Sequence, residues 1–299
     1  MFLRIVGGLL IALALRDVFH TLFHPAGQGS ISDSIAALIW RTIRRMQPGW
    51  LTLAGPAAFF SILGYWTVSM ITGFALIYFP ELPHRFAFAA GLDSGNFTGL
   101  FAAIELSVSS LITLSSGVYA GKIWLALIMA LESIVGFGLV TASVSWILSI
   151  YPILEHRKSL AHQASLLHFS EYYGIRRLRD VSDSDVSQIL LGLASQLSTT
   201  RHELIQFPIT YYFHESEEKS SLAATLPYLA DIADQNKDRT GGAALAATVL
   251  GGAVDDYLEW VAESFLDGEF QSREQILRAL AEDHLRQPLR APERISKAA

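Results

Sequence analysis

Residues 97–119 read FTGLFAAIELSVSSLITLSSGVY, and the placement of this stretch decides the fold. It is largely apolar or small, and its single charge is Glu105. A bilayer crossing takes roughly 20 apolar residues, so Thr98–Leu114, one helix of moderate length at most, is too short to cross and return. The pattern predicts a short helix that dips in and comes back as extended chain. Such backbone survives at membrane depth only where protein buries it or where it lines a water-filled cavity. One hairpin cannot enclose a cavity, so the stretch implies several copies of the chain.

Working outward, two long apolar runs flank it. Gln47 to Phe79 contains no charged residue, and Ile123 to Leu154 contains only Glu132. Each run can cross a bilayer with tilt and leave an extended foot at one end. Of the 299 residues, 51% are hydrophobic and 17% charged, against about 25% charged in a soluble domain. The charge is uneven. Residues 1–155 hold seven Lys+Arg and seven Asp+Glu, whereas 156–299 hold the other 15 and 21 and with them the whole net charge of −6. The sequence therefore describes an all-α integral membrane protein with a polar tail. Neither half has the basic surface a nucleic-acid binder needs, and the absence of cysteine excludes disulfides and cysteine–zinc sites.

A third apolar segment, Phe2 to Phe23, is interrupted by Arg16 and Asp17. Its clean core of Ile5 to Leu15 resembles a signal-peptide h-region, but no small-x-small cleavage site follows, so a retained helix is expected. Whether it spans or lies along the surface stays open; its charges require partners or an interfacial position. Arg41, Arg44 and Arg45 precede the first long run, and His156-Arg157-Lys158 follow the second. The excess of basic residues in these loops predicts that both face the cytoplasm. The segments expected are an N-terminal helix (1–24), an amphipathic linker (25–50), a membrane module (51–152) and a helical cytoplasmic domain (153–299). In the tail, Ser182-Asp183-Ser184-Asp185 is a capping cluster for the periodic run Val186–Ile205. A short β-prone piece, Ile209–Phe213, comes next, then helical patterns over Ser220–Ala233, Ala243–Phe265 and Ser272–Leu285; the last dozen residues read as disordered.

The order outer helix, dipping helix, extended strand, inner helix resembles the pore module of the tetrameric potassium channel superfamily, and in particular bacterial proteins related to the two-pore-domain type. The resemblance covers about residues 51–152 and rests on Ser109–Tyr119, on Leu131-Glu132 with Gly136-Phe137-Gly138, and on Ser145–Pro152. Asp17–Pro25 is also similar to that bacterial group. It implies a homotetramer in the inner (plasma) membrane, multi-pass, with the C-terminal domain cytoplasmic and open to an unknown regulatory ligand or protein. The segment Thr113, Ser115, Ser116, Gly117, Val118, Tyr119 and Ala120 takes the place of the ion-selecting filter.

That segment departs from the family pattern. Val118 and Ala120 stand where the family has glycines, Gly117 where it has Val, and Gly121-Lys122 where an acidic residue follows. The family filter points backbone carbonyls at the axis to replace the ion's hydration shell, and it needs positive φ at the two glycine positions. Left-handed backbone costs an L-residue roughly 1–2 kcal/mol, so Val118 and Ala120 in four copies disfavour such a filter by about 8–16 kcal/mol. A different construction is expected, with Gly117 supplying one turn. Ser115 and Ser116 then either line the pore as hydroxyl rings or cap the dipping helix. Tyr119 is read as a structural cuff.

Glu132 either supports the filter from behind or faces the cavity. Gly136 and Gly138 serve as a gating hinge or as close helix contacts. Glu105 gains from the helix dipole. His20 and His24, and the pairs His202-Glu203 and His214-Glu215, are too non-specific to indicate a metal. No nucleophile–base pair or phosphate loop points to an enzyme. The expectation is a pore for a monovalent cation, potassium or sodium, with altered selectivity and no cofactor; the alternative is a non-conducting scaffold or sensor that keeps the fold.

Overall fold

The computed structural model describes residues 1–23, 29–46, 48–173 and 178–290. His24 and the final nine residues of the expected disordered end lie outside them. The chain is 79% helical. It divides into two compact units: Met1–Arg41 with Pro56–Ile150, and Thr42–Gly55 with the chain from Tyr151 onward.

The first unit is built from α1 (Phe2–Phe23), most of α2 (Ser30–Met46) and of α3 (Ala54–Tyr78), α4 (Leu100–Leu111) and the first half of α5 (Ile123–Tyr172). Among the described residues two helical stretches are long and apolar enough to cross a membrane, Gly49–Tyr78 and Ile123–Tyr172. At 1.5 Å per residue α3 is about 37 Å long, more than the roughly 30 Å hydrocarbon core. Helix α1 lies antiparallel along α3. A Cβ on Gly7 would collide with the Gly73 carbonyl, and one on Gly73 with Ile11, so glycine lets the two backbones touch, as membrane helix contacts favour. At one end Arg4 pairs with the buried Glu81. At the other, Asp17 accepts from Trp66 Nε1 at 2.9 Å and from Ile31 N at 3.2 Å, and it also takes the Ser32 hydroxyl. The charge flagged in the sequence thus caps the first turn of α2.

Between α3 and α4 runs a loop with a three-residue strand, β1 (Phe86–Phe88). After α4 comes β2 (Val118–Ala120), antiparallel to β1 with Phe86 opposite Ala120, Ala87 opposite Tyr119 and Phe88 opposite Val118. The extended return was expected, but its pairing was not.

The second unit is helical: the end of α5, α6 (Asp183–Gln206), α7 (Leu222–Asn236), α8 (Gly241–Phe265) and α9 (Arg273–Asp283). Ser182 accepts from Asp185 N at 3.2 Å and starts α6. The residues it leads into, Val186, Leu190, Leu193, Leu197 and Leu204, are buried at helical spacing. The segment read as β-prone is instead a 3-10 helix, Pro208–Tyr212. Proline fixes the first φ, and all four residues after it are buried. Its β-branched and aromatic side chains signalled burial rather than a strand.

Candidate functional site

Helix α4 has small polar residues on its inner face, and each meets a neighbour. Ser107 Oγ lies 3.0 Å from the Ile71 carbonyl on α3 and 2.5 Å from Glu132 Oε1 on α5. Tyr78 donates its hydroxyl to Glu132 Oε2 at 2.7 Å. Ser110 reaches the Met129 carbonyl at 3.2 Å, and Ser133 donates back to the Ser110 carbonyl at 2.8 Å. Glu132 is therefore fully buried behind α4 and tied to both flanking helices. Its carboxylate is enclosed and does not face an open cavity. Tyr78, Ser107 and Ser133 are not singled out from the sequence, although Ser107 and Ser110, spaced i, i+3 on an apolar helix, are a readable signal for a polar seam.

The two glycines of α5 part company. A Cβ on Gly136 would strike the Leu111 carbonyl, whereas one on Gly138 meets nothing within 4 Å. Gly136 lets the last turn of α4 rest on α5; Gly138 is exposed on its open side. The helix runs unbroken through both. Glu105 is exposed in the second turn of α4.

The end of α4 is closed by backbone rather than by serine hydroxyls. Leu114 N donates to the Ser109 carbonyl at 2.7 Å and Thr113 N to the Ser110 carbonyl at 3.1 Å, the paired bonds of a Schellman turn. The turn needs a left-handed residue, usually glycine; here it is Thr113, at φ 59°. A β-branched residue there is strained, and such strain persists where the surroundings fix it. The chain then turns again at Gly117, φ 71°, where a Cβ would crowd Leu92. Val118 and Ala120 keep ordinary negative φ, so the alternation of the potassium-channel filter is absent from this strand.

Side-chain exposure follows the strand. Val118 is buried, Tyr119 exposed and Ala120 intermediate. Thr113 and Ser115 are exposed, and Ser116 Oγ accepts from Val118 N at 3.3 Å. An open groove of about 330 Å³ runs beside these residues, lined by Ser109, Ser110, Thr113, Ser115, Ser116 and Ser133 among others. Its wall is rich in hydroxyls, and its floor is the seam that seats α4. From the groove an unpartnered stripe follows α5: Ile123, Leu127, Leu131, Ile134, Gly138, Thr141, Ser145 and Leu148 are all exposed. Steps of three and four keep this stripe on one side of the helix.

His20 sits edge-on to Phe19 at 6.2 Å. In the second unit Glu203 meets His156 Nδ1 at 2.6 Å. Glu215 pairs with Arg157, whose guanidinium also donates to the Thr210 carbonyl at 2.6 Å. Burial and the nearby Arg286 and Arg157 push the His214 imidazole down to about 4. The groups of the second unit are knitted into its own helical packing. A comparison with family models finds no match, and comparisons with curated proteins and with solved structures find none either.

Proposed function

We propose that this chain is one protomer of a homotetrameric membrane pore that passes monovalent cations, potassium and sodium, with weak selectivity. In this reading α3 is the outer helix, α4 the dipping helix, Thr113–Ala120 the ion path and α5 the inner helix. Both ends of the module and the second unit face the cytoplasm of the inner membrane. Helix α1 is then a further crossing, antiparallel to α3.

The observation that carries the reading is the incomplete site at the end of α4. A short helix is held between two helices of spanning length by Glu132 and Gly136, and it delivers a strained turn and a row of hydroxyls to an open groove. Backbone of that kind at membrane depth needs a protein or water-filled surround, which further copies supply. The exposed stripe on α5, with Thr141 and Ser145 among its apolar residues, is the matching wall. Hydroxyls and scattered carbonyls attract cations without stripping them fully, which argues against strong discrimination.

The test is recording from the purified oligomer in planar bilayers under opposed potassium and sodium gradients. The expected result is a conducting state that reverses near zero. A reversal at the potassium potential would overturn the weak selectivity. Silence from an intact oligomer would favour the non-conducting scaffold, a reading supported by the pairing of Val118–Ala120 with β1.

A further inference from the structure

We propose that β1, the strand Phe86–Phe88 before the dipping helix, is the element that sets ion selectivity, by holding the filter strand extended. This inference rests on the pore reading above and names the residues that decide what the pore accepts.

The argument follows the backbone donors. Ala89 N donates to the Gly117 carbonyl at 2.8 Å, and Gly121 N donates to the Arg85 carbonyl at 2.9 Å. In an antiparallel ladder, bonded and non-bonded pairs alternate. With this register Ala87 and Tyr119 form the bonded pair between those two. The carbonyls of Gly117 and Tyr119 thus point at β1 and are occupied. Those of Val118 and Ala120 point to the opposite edge of the strand. An ion passing that edge meets every second carbonyl, together with the hydroxyls of Thr113, Ser115 and Ser116.

A dehydrating cage needs consecutive carbonyls turned to one axis. β1 prevents that arrangement for as long as it stays paired, and Val118 and Ala120 oppose it on steric grounds. The two devices agree. Val118 is tucked into the core beside Phe86, which ties the ladder to the packing of the unit. The ion that fits is one that keeps part of its water, so potassium and sodium are treated alike.

The chain has no cysteine, which gives a clean background for fixing the ladder covalently. Phe88 and Val118 are a non-bonded pair, where Cα atoms lie about 4.5 Å apart, within the range a disulfide spans. The double variant Phe88→Cys/Val118→Cys is recorded in bilayers under the same gradients, first oxidised and then reduced. The expected outcome is efficient cross-linking, with the variant's current and permeability ratio the same in the oxidised as in the reduced state. A companion variant, Ala87→Pro, removes the N–H that the Tyr119 carbonyl accepts; it is expected to shift the potassium-to-sodium permeability ratio at least threefold.

Current that disappears on oxidation and returns on reduction would overturn the proposal, because the strand would have to leave β1 to conduct. So would failure to cross-link, or an Ala87→Pro ratio equal to that of wild type. Silence of the wild-type oligomer counts instead against the pore reading, and in that case the cross-linking yield still tests the pairing by itself.

Discussion

Neutral donors bury acids in both halves of the chain, Glu171 of the polar half taking the Tyr228 hydroxyl and the Leu178 amide, but among the described residues only the polar half adds a pair in which the guanidinium is buried too. In the apolar half, Glu132 is held by the hydroxyls of Tyr78 and Ser107, and Asp17 by Trp66, Ser32 and the Ile31 amide. All the hydrogen-bond donors described for these two acids are neutral. In the polar half, Glu215 is paired with Arg157, whose side chain is itself buried. Glu81, just beyond the end of α3, falls with the second group, since it meets both Arg4 and Arg85. The difference follows from solvent. Two charges inside lipid both lose hydration, and the pair must recover both penalties. A hydroxyl or an indole N–H costs far less to bury and still satisfies the acceptor. Where water is near, a guanidinium satisfies several acceptors at once.

The largest expected effect is on the charged side of this contrast. Arg157→Met strips Glu215 of its cation and takes the guanidinium donors away from the Thr210 and Phe213 carbonyls, the first of which keeps the Phe213 amide. Removing one partner of a buried pair costs about 3–5 kcal/mol. Glu132→Gln should cost about 1 kcal/mol, because the amide oxygen still accepts from Tyr78 while the amide NH2 can donate to Ser107, whose own proton has the Ile71 carbonyl as acceptor. Thermal unfolding of the full chain in detergent compares the two directly. Equal losses would sink the claim that the two kinds of burial differ.

In the apolar half, backbone contact takes over part of the fastening that charge supplies in the tail. Gly136→Ala drives a methyl into the Leu111 carbonyl, which as backbone has little room to yield. Overpacking of this kind costs typically 1–3 kcal/mol. Gly138→Ala meets open space and should be neutral or stabilising by up to about 1 kcal/mol, the helix-propensity difference. Melting temperature and the oligomer profile of the two variants separate close packing from a hinge role. A loss at Gly138 equal to that at Gly136 would argue for the hinge.

The polar half carries a pH dependence of its own. His214 is neutral in the folded state down to about pH 4, whereas an unfolded histidine titrates near 6.5. Between these values the unfolded chain binds more protons, so stability rises with pH there. The contribution is complete above about 6.5 and is lost as pH falls toward 4. The side chain is partly exposed, so solvent screening limits the effect to about 1–2 kcal/mol. His214→Gln should flatten the pH 4–6.5 slope of the unfolding curve. A slope unchanged by that substitution would mean the titration lies elsewhere.

Much of this arrangement is legible in the sequence, for reasons that are local. Charge-free runs give α3 and α5, serine and aspartate at 182–185 give the start of α6, and a lone acid in an apolar run marks Glu132 before its partners are known. What stays hidden depends on distant residues. Phe86-Ala87-Phe88 is too short to show a strand period, and its partner lies 32 residues away. Tyr78 closes an apolar run like any interfacial aromatic; only the fold brings its hydroxyl to Glu132. The sterics of Val118 and Ala120 exclude one backbone, but they do not reveal that Thr113, rather than a glycine, takes the left-handed turn.

The smallest predicted effects sharpen the neutral side of the comparison. Ser107→Ala leaves Glu132 with the hydroxyls of Tyr78 and Ser110, whereas Ser32→Ala leaves Asp17 with the Trp66 indole and the Ile31 amide. Both substitutions remove one hydroxyl and little volume, so each should cost on the order of 1 kcal/mol. Each acid keeps two donors, but Ser107 also lies within bonding distance of the Ile71 carbonyl, which puts Ser107→Ala above Ser32→Ala by a few tenths of a kcal/mol on the same scale. A reversed order in detergent unfolding would mean that Asp17 depends on Ser32 more than on the indole, and that α2 rather than α3 is the element the acid holds.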